Sequence, residues 1–184
     1  MKKNVCVYCG SRESNNPRFP ELAQQAGREI ARRNWGVVYG GGKVGMMGKL
    51  ADAALESGGD VFGVIPTKLK KLEVAHTELT DLHETQDMHT RKALMESLSD
   101  AFLILPGGFG TLDEFFEILT WRQLGIHDKP IYLLNAEGYF DGLVKFTENS
   151  IQYDFVRKSS LKLFKVCNEI DSCIEMLERF FEED

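Results

Sequence analysis

Residues 101–120 read AFLILPGGFGTLDEFFEILT, and the succession of residue types in them decides the fold. Five apolar residues, Ala101 to Leu105, describe a buried strand. Pro106-Gly107-Gly108-Phe109-Gly110 is a turn, and Thr111 opens an apolar-striped helix. Glycine lets a backbone approach a ligand closely, and the N–H groups of a first helical turn, together with the helix dipole, favour an anion such as phosphate. The same turn is expected to carry Asp113 and Glu114, whose charge opposes a phosphate placed beside them. Either one carboxylate serves chemistry or both merely stabilise a helix N-terminus.

Working outward, Asn4 to Tyr8 reads as a strand left by the turn Cys9-Gly10-Ser11. Leu22, Ala23, Ala26 and Ile30 recur at helical spacing between Pro20 and Arg33. Gly36 to Tyr39 is a short buried strand that runs into a second glycine-rich loop, Gly40 to Gly48, which opens a helix through Ser57. Asp60 to Ile65 supplies another strand, halted by Pro66. Residues 67–87 are polar, show no clear period and read as a long connection over the sheet's edge, a kind of segment that commonly has a function. Met88 to Leu98 is a helix, Ile131 to Leu134 a strand, and Tyr139 to Asn149 a helix. Phe164 to Val166 is a last short strand, and Ile170 to Phe181 an amphipathic closing helix.

Almost continuously apolar strands alternating with helices predict an α/β fold, a doubly wound parallel sheet with helices on both faces. Ligands of such sheets bind beyond the carboxyl ends of the strands, where both glycine loops fall. At 184 residues the chain fits one domain, 1–184, that buries roughly 70% of its unfolded surface.

The net charge is −6 and the 22 basic residues are scattered, which disfavours a nucleic-acid polymer but not a single nucleotide in a pocket. The opening MKKNVCVYCGS has too short an apolar run for a signal peptide, and no stretch approaches the ~20 apolar residues of a membrane span. A soluble, cytoplasmic protein with no membrane partner is expected. The four cysteines are then reduced thiols rather than a disulfide framework. Cys6 and Cys9 form a C-x-x-C, but Cys6 lies inside a strand, whereas redox pairs sit at helix N-termini. His76, His83, His89 and His127 show no paired metal-ligand spacing, so no metal is expected.

Gly40-x-Gly42-x-x-Gly45 matches the dinucleotide fingerprint, but it follows the second strand rather than the first, and a ribose-binding acid would be Asp60. Neither loop has the G-x-x-x-x-G-K-[ST] pattern of a P-loop, and there is no G-x-S-x-G.

Pro106-Gly107-Gly108-Phe109-Gly110-Thr111-Leu112-Asp113-Glu114 resembles the P-G-G-x-G-T-x-x-E signature of the Lonely Guy (LOG) family, cytokinin-activating phosphoribohydrolases also labelled "lysine decarboxylase-like". The likeness extends to Cys9-Gly10-Ser11, to Tyr39 through Gly48, to Met88-His89-x-Arg91-Lys92, and to Leu124 through Pro130. Arg12 departs from it, standing where many members have serine. The resemblance implies a Rossmann-like homodimer, working without a cofactor, that hydrolyses the N-glycosidic bond of nucleoside 5'-monophosphates. It also implies a catalytic pair, Arg91 and Glu114. The candidate substrate and phosphate ligands are Ser11, Gly41, Gly42, Gly45, Met46, Glu73, Lys92, Gly107, Gly108, Phe109, Gly110, Thr111, Leu112, Asp113 and Thr120.

The chemistry suits those residue types. An oxocarbenium-like state is stabilised by a nearby carboxylate, which can also deprotonate the attacking water. A phosphate on the glycine loops and a carboxylate roughly 5 Å or more away, the length of a ribose, would not repel each other strongly. The decarboxylase label fits less well, because pyridoxal chemistry needs a Schiff-base lysine and only Lys43 lies in either loop. The rival function is a non-catalytic nucleotide sensor or carrier on the same fold.

Overall fold

In the computed structural model, which describes residues 2–70 and 74–183, strand and helix alternate along the chain. The strands are β1 (Asn4–Tyr8), β2 (Gly36–Tyr39), β3 (Val61–Pro66), β4 (Asp81–Thr85), β5 (Ala101–Ile104), β6 (Ile131–Leu134) and β7 (Lys165–Cys167). The helices are α1 (Arg18–Arg32), α2 (Gly45–Glu56), α3 (Met88–Ser97), α4 (Phe109–Gln123), α5 (Asp141–Gln152) and α6 (Ile170–Glu183).

All seven strands are parallel, in the order β4-β3-β2-β1-β5-β6-β7. Numbering falls toward β1 from one edge and rises away from it toward the other, so the chain reverses direction between β1 and β5. The expected doubly wound sheet is therefore present. Its strands are apolar on both faces because both faces are covered. Along β1, Val5, Val7 and Cys9 enter one core with Leu22, Ile30, Leu50 and Ile174. Cys6 and Tyr8 point the other way, into a second core with Met95, Phe115, Ile118 and Phe140. The two-residue period of a strand divides a continuous apolar run between two layers.

Two expectations need correction. The segment expected to be an unstructured connection contains β4, paired with β3 from Phe62↔Asp81 to Pro66↔Thr85. An edge strand has one neighbour and a solvated face, so DLHET carries no apolar run to betray it. Helix α4 begins at Phe109, not Thr111, with Gly108 as its extended N-cap. Its first turn is thus free of acidic residues, and Asp113 and Glu114 fall on the second. Smaller shifts have local causes. Helix α1 starts before Pro20 because proline's missing N–H is not needed within a first turn. Helix α5 begins at Asp141 after a short 3-10 turn, Ala136–Gly138.

Helices α1 and α2 cross closely on one face of the sheet. A Cβ on Gly27 would overlap the Leu50 carbonyl oxygen and lie 3.1 Å from the Ala54 nitrogen. Backbone against backbone cannot yield as two side chains would, so Gly27→Val is expected to destabilise the fold by about 2 kcal/mol or more. A lowered urea midpoint with an unchanged slope checks this, and an unchanged midpoint would refute it.

Candidate active site

A cleft of about 760 Å³ opens beyond the carboxyl ends of β1 and β5, at the point where the strand order reverses. The two loops that form its floor are tied together. Gly10 donates its N–H to the Pro106 carbonyl at 3.1 Å, and a Cβ on Gly107 would lie 2.8 Å from the Gly10 nitrogen and overlap the Thr111 hydroxyl. Only glycine lets the chains leaving β1 and β5 pass this closely.

Two helices begin at this floor. Helix α4 starts at Phe109 and α2 at Gly45, and neither N-cap residue, Gly108 or Val44, supplies a side-chain hydrogen bond. In α3, by contrast, the Asp87 carboxylate accepts the Thr90 N–H at 2.8 Å. The first-turn N–H groups of α4 at Phe109, Gly110 and Thr111 thus have no side-chain cap, and these three residues line the cleft. Gly45 holds φ +64, and a Cβ there would lie 2.6 Å from the Arg12 carbonyl carbon and oxygen. The loop after β1 is thereby pressed against the start of α2.

The signature is split by helical geometry. Thr111 and Glu114 stand three residues apart on one face of α4, and both are buried, 3% and 4% exposed, on the cleft side. Leu112, Asp113 and Thr120 lie around the helix and line a second, more open depression with Phe116 and Trp121. Lys92 sits there too, its ammonium 3.0 Å from Asp113 and 2.6 Å from Glu117. Burial works to lower its pKa, but the hydrogen bonds and charges of Glu117 and Asp113 outweigh this and raise it.

Arg91 lines the main cleft and is 3% exposed. Its Nε donates to the Val64 carbonyl and its Nη2 to the Gly40 carbonyl, both at 3.0 Å, while Nη1 lies 3.6 Å from Met88 Sδ. The guanidinium is thus clamped to the residue just past β2 and to the middle of β3. Burial, and next the negative charge of Glu114, push the Cys9 thiol of the cleft floor far above its ordinary range. The thiol stays protonated and is no nucleophile.

Of the expected site residues, Ser11, Met46, Arg91, Gly107, Gly108, Phe109, Gly110, Thr111 and Glu114 meet at the cleft. Gly41 and Gly42 are not part of its lining. Gly42 bridges Ala75, and the neighbouring backbone bonds run from His76 N to Gly41 O and from Lys43 N to Val74 O, both at 2.9 Å. This pairing fastens residues 74–76 beside the sheet. Glu73 lies outside the described residues. Arg12 stands on the rim. Sequence reasoning missed Phe19, Met47, Met88 and Tyr139, which supply the apolar walls. The usable signal for Tyr139 was position alone, since it follows the carboxyl end of β6.

Fold and cleft together define a doubly wound α/β protein with an uncapped helix start and a buried carboxylate on one cleft. A family model described as "Possible lysine decarboxylase" matches residues 47–177. The chain is 47% identical over 173 residues to a cytokinin riboside 5'-monophosphate phosphoribohydrolase of Rhodococcoides fascians, covering 94% of this chain and 87% of that one. It is 39% identical over 178 residues to the protein of that name from Arabidopsis thaliana, covering 97% and 84%. Among solved structures, the molybdenum cofactor binding protein from Rippkaea orientalis superimposes with a TM-score of 0.76 at 23% identity, over 98% of both chains. The Moco carrier protein of Chlamydomonas reinhardtii does so with 0.75 at 18% identity, over 100% of both. These two share the fold. The chain belongs to the LOG family of cytokinin riboside 5'-monophosphate phosphoribohydrolases.

A Cβ on Gly40 would collide with Arg91 Nη2. Gly40→Ala is therefore expected to unseat the guanidinium and lower turnover about tenfold or more, since its two buried carbonyl partners lose their donor. Steady-state kinetics of the folded variant check this, and wild-type kinetics would show that the clamp is dispensable.

Proposed function

We propose that this protein hydrolyses the N-glycosidic bond of adenosine 5'-monophosphates, their N6-modified cytokinin forms included, to free base and ribose 5-phosphate. The whole chain acts as one domain and uses no cofactor. The observation that carries the reading is the buried Glu114 carboxylate, set one turn inside the uncapped start of α4 on the same cleft. From Gly110 to Glu114 the helix rises about 6 Å, room for a ribose between cradle and carboxylate. The names of the relatives at 47% and 39% identity support the same activity.

In this reading the 5'-phosphate rests on the N–H groups of Gly108, Phe109, Gly110 and Thr111, with Ser11 and Arg12 at the rim. The ribose extends inward toward Glu114. As the C1'–N bond breaks, its electron pair leaves with the base, and the carboxylate stabilises positive charge developing on the sugar. Water forms the new C1'–O bond and gives a proton to Glu114, and the base takes up a proton. Arg91, held by two backbone carbonyls, supplies a fixed positive charge at the cleft floor and needs no reorganisation during the reaction. Lys92, Asp113, Leu112 and Thr120 belong to the second depression, and their contribution to substrate binding is indirect, by fixing α4 against α3. No lysine lines the cleft among the described residues, which leaves the decarboxylase label without a Schiff-base group.

Incubation with AMP and with N6-prenyl-AMP should release base and ribose 5-phosphate, whereas lysine with pyridoxal phosphate should yield no cadaverine. Glu114→Gln should bind AMP but lose about 10²-fold or more in kcat, the scale of general acid–base and charge stabilisation. Binding without release by the wild-type protein would leave the carrier reading standing instead. The structures of cofactor carriers share only the fold at 18–23% identity and do not favour it.

A homodimer is part of the proposal. Phe109, Leu124 and Ile126 are 93%, 67% and 62% exposed along α4 and its exit, and Phe116 joins them. Exposed apolar residues grouped on a helix and its exit are the kind of surface that two copies bury on association, which supports this reading. Light scattering should give the mass of two chains, and Phe116→Asp should halve it; a monomeric wild type would remove this element. The cytoplasmic location rests on four free cysteines and would be withdrawn if fractionation found the protein in an oxidising compartment.

A further inference from the structure

Tyr139 is far from the signature in sequence, yet its hydroxyl donates to the Gly107 carbonyl at 2.6 Å, on the loop that opens α4. The ring stands half-exposed in the cleft wall. It is held edge-on against Phe19, centroids 5.3 Å apart at 78°, and against Phe140, 4.9 Å apart at 85°. The turn that presents it is anchored at several points. The Asn135 side chain accepts the Phe140 N–H at 2.6 Å and donates to Asp141 at 2.8 Å. Asn16, from the loop after β1, donates to the Glu137 carboxylate at 2.6 Å. The Tyr139 hydroxyl therefore arrives from a braced support.

We propose that Tyr139 is a positioning residue that locks the Gly107–Gly108 peptide in the orientation that binds the substrate's phosphate. The inference rests on reading the cleft as a phosphomonoester site. In a trans peptide, the carbonyl and the following N–H point in opposite directions. Drawing the Gly107 oxygen to Tyr139 turns the Gly108 N–H away from that wall and engages an oxygen lone pair that would otherwise repel a phosphate. A peptide between two glycines has little steric resistance to flipping. Gly107 is packed against Gly10 and Thr111, but at Gly108 a Cβ would meet nothing within 4 Å, so on that side the surroundings do not hold the plane. The hydroxyl does, and it sets the orientation before the ligand arrives. The ring, which does not depend on the hydroxyl, keeps its place between Phe19 and Phe140.

The test is Tyr139→Phe, which removes one oxygen and retains the packing. Ribose 5-phosphate binding followed by calorimetry should weaken about tenfold, and KM for AMP should rise by a similar factor while kcat falls less than about threefold, as expected for loss of one hydrogen bond that acts on binding. The melting temperature should stay at the wild-type value. If the wild type binds ribose 5-phosphate and the variant binds it equally well with unchanged KM, the inference is overturned while the site reading survives. If the wild type does not bind ribose 5-phosphate, both fall. A drop in kcat alone, with binding intact, would likewise overturn a phosphate-positioning role.

Discussion

The site depends on how closely two backbone segments pass at the sheet's reversal point. The hydrogen bond from Gly10 N to Pro106 O, 3.1 Å, joins the exits of β1 and β5, strands that are neighbours in the sheet but separated by most of a hundred residues in the chain. Because the sheet winds away from β1 in both directions, the helices that follow these strands go to opposite faces and leave a gap between their loops. The glycines at 10 and 107 let the gap close to backbone contact at its floor while it stays open above. Both α4 and the loop that presses on α2 take their positions from this seam.

Charge around the seam is separated along and around α4. The N-terminal end of α4 carries no acidic residue in its first turn. Glu114 lies a turn deeper and buried, with Arg91 also on the cleft, while Asp113 is turned out to Lys92. The apparent conflict in the sequence between phosphate and adjacent acids came from placing the helix start two residues too late. Beginning the helix at Phe109 moves both carboxylates out of its first turn, and the roughly 100° between successive helical residues sets them on different faces. Asp113 then steadies α4 against α3 through Lys92, and Glu114 faces the cleft.

Much of this was legible locally. Strands β1, β2, β5 and β6 are apolar on both faces, so their runs stood out, and the glycines placed the turns. The edge strand β4 was not legible, because its stability comes from backbone bonds to β3 and not from apolar side chains. Arg91 could be nominated by resemblance, but its clamp to Gly40 and Val64 could not be read, since those carbonyls lie 51 and 27 residues away. Phe19 and Tyr139 carry no motif at all.

Glu114 was singled out from Asp113 only by resemblance, whereas pattern along the chain was enough to dictate an α/β sheet and the two glycine loops at strand ends. These are consequences of side-chain periodicity and backbone permissiveness, which act over a few residues. Which loop residues face the cleft, which are absorbed in bracing it, and which distant aromatic holds the Gly107 carbonyl were decided by the folded chain. Those choices depend on strand order and on the angle at which each helix leaves the sheet. They follow from packing between segments remote in sequence, where no local period carries the information.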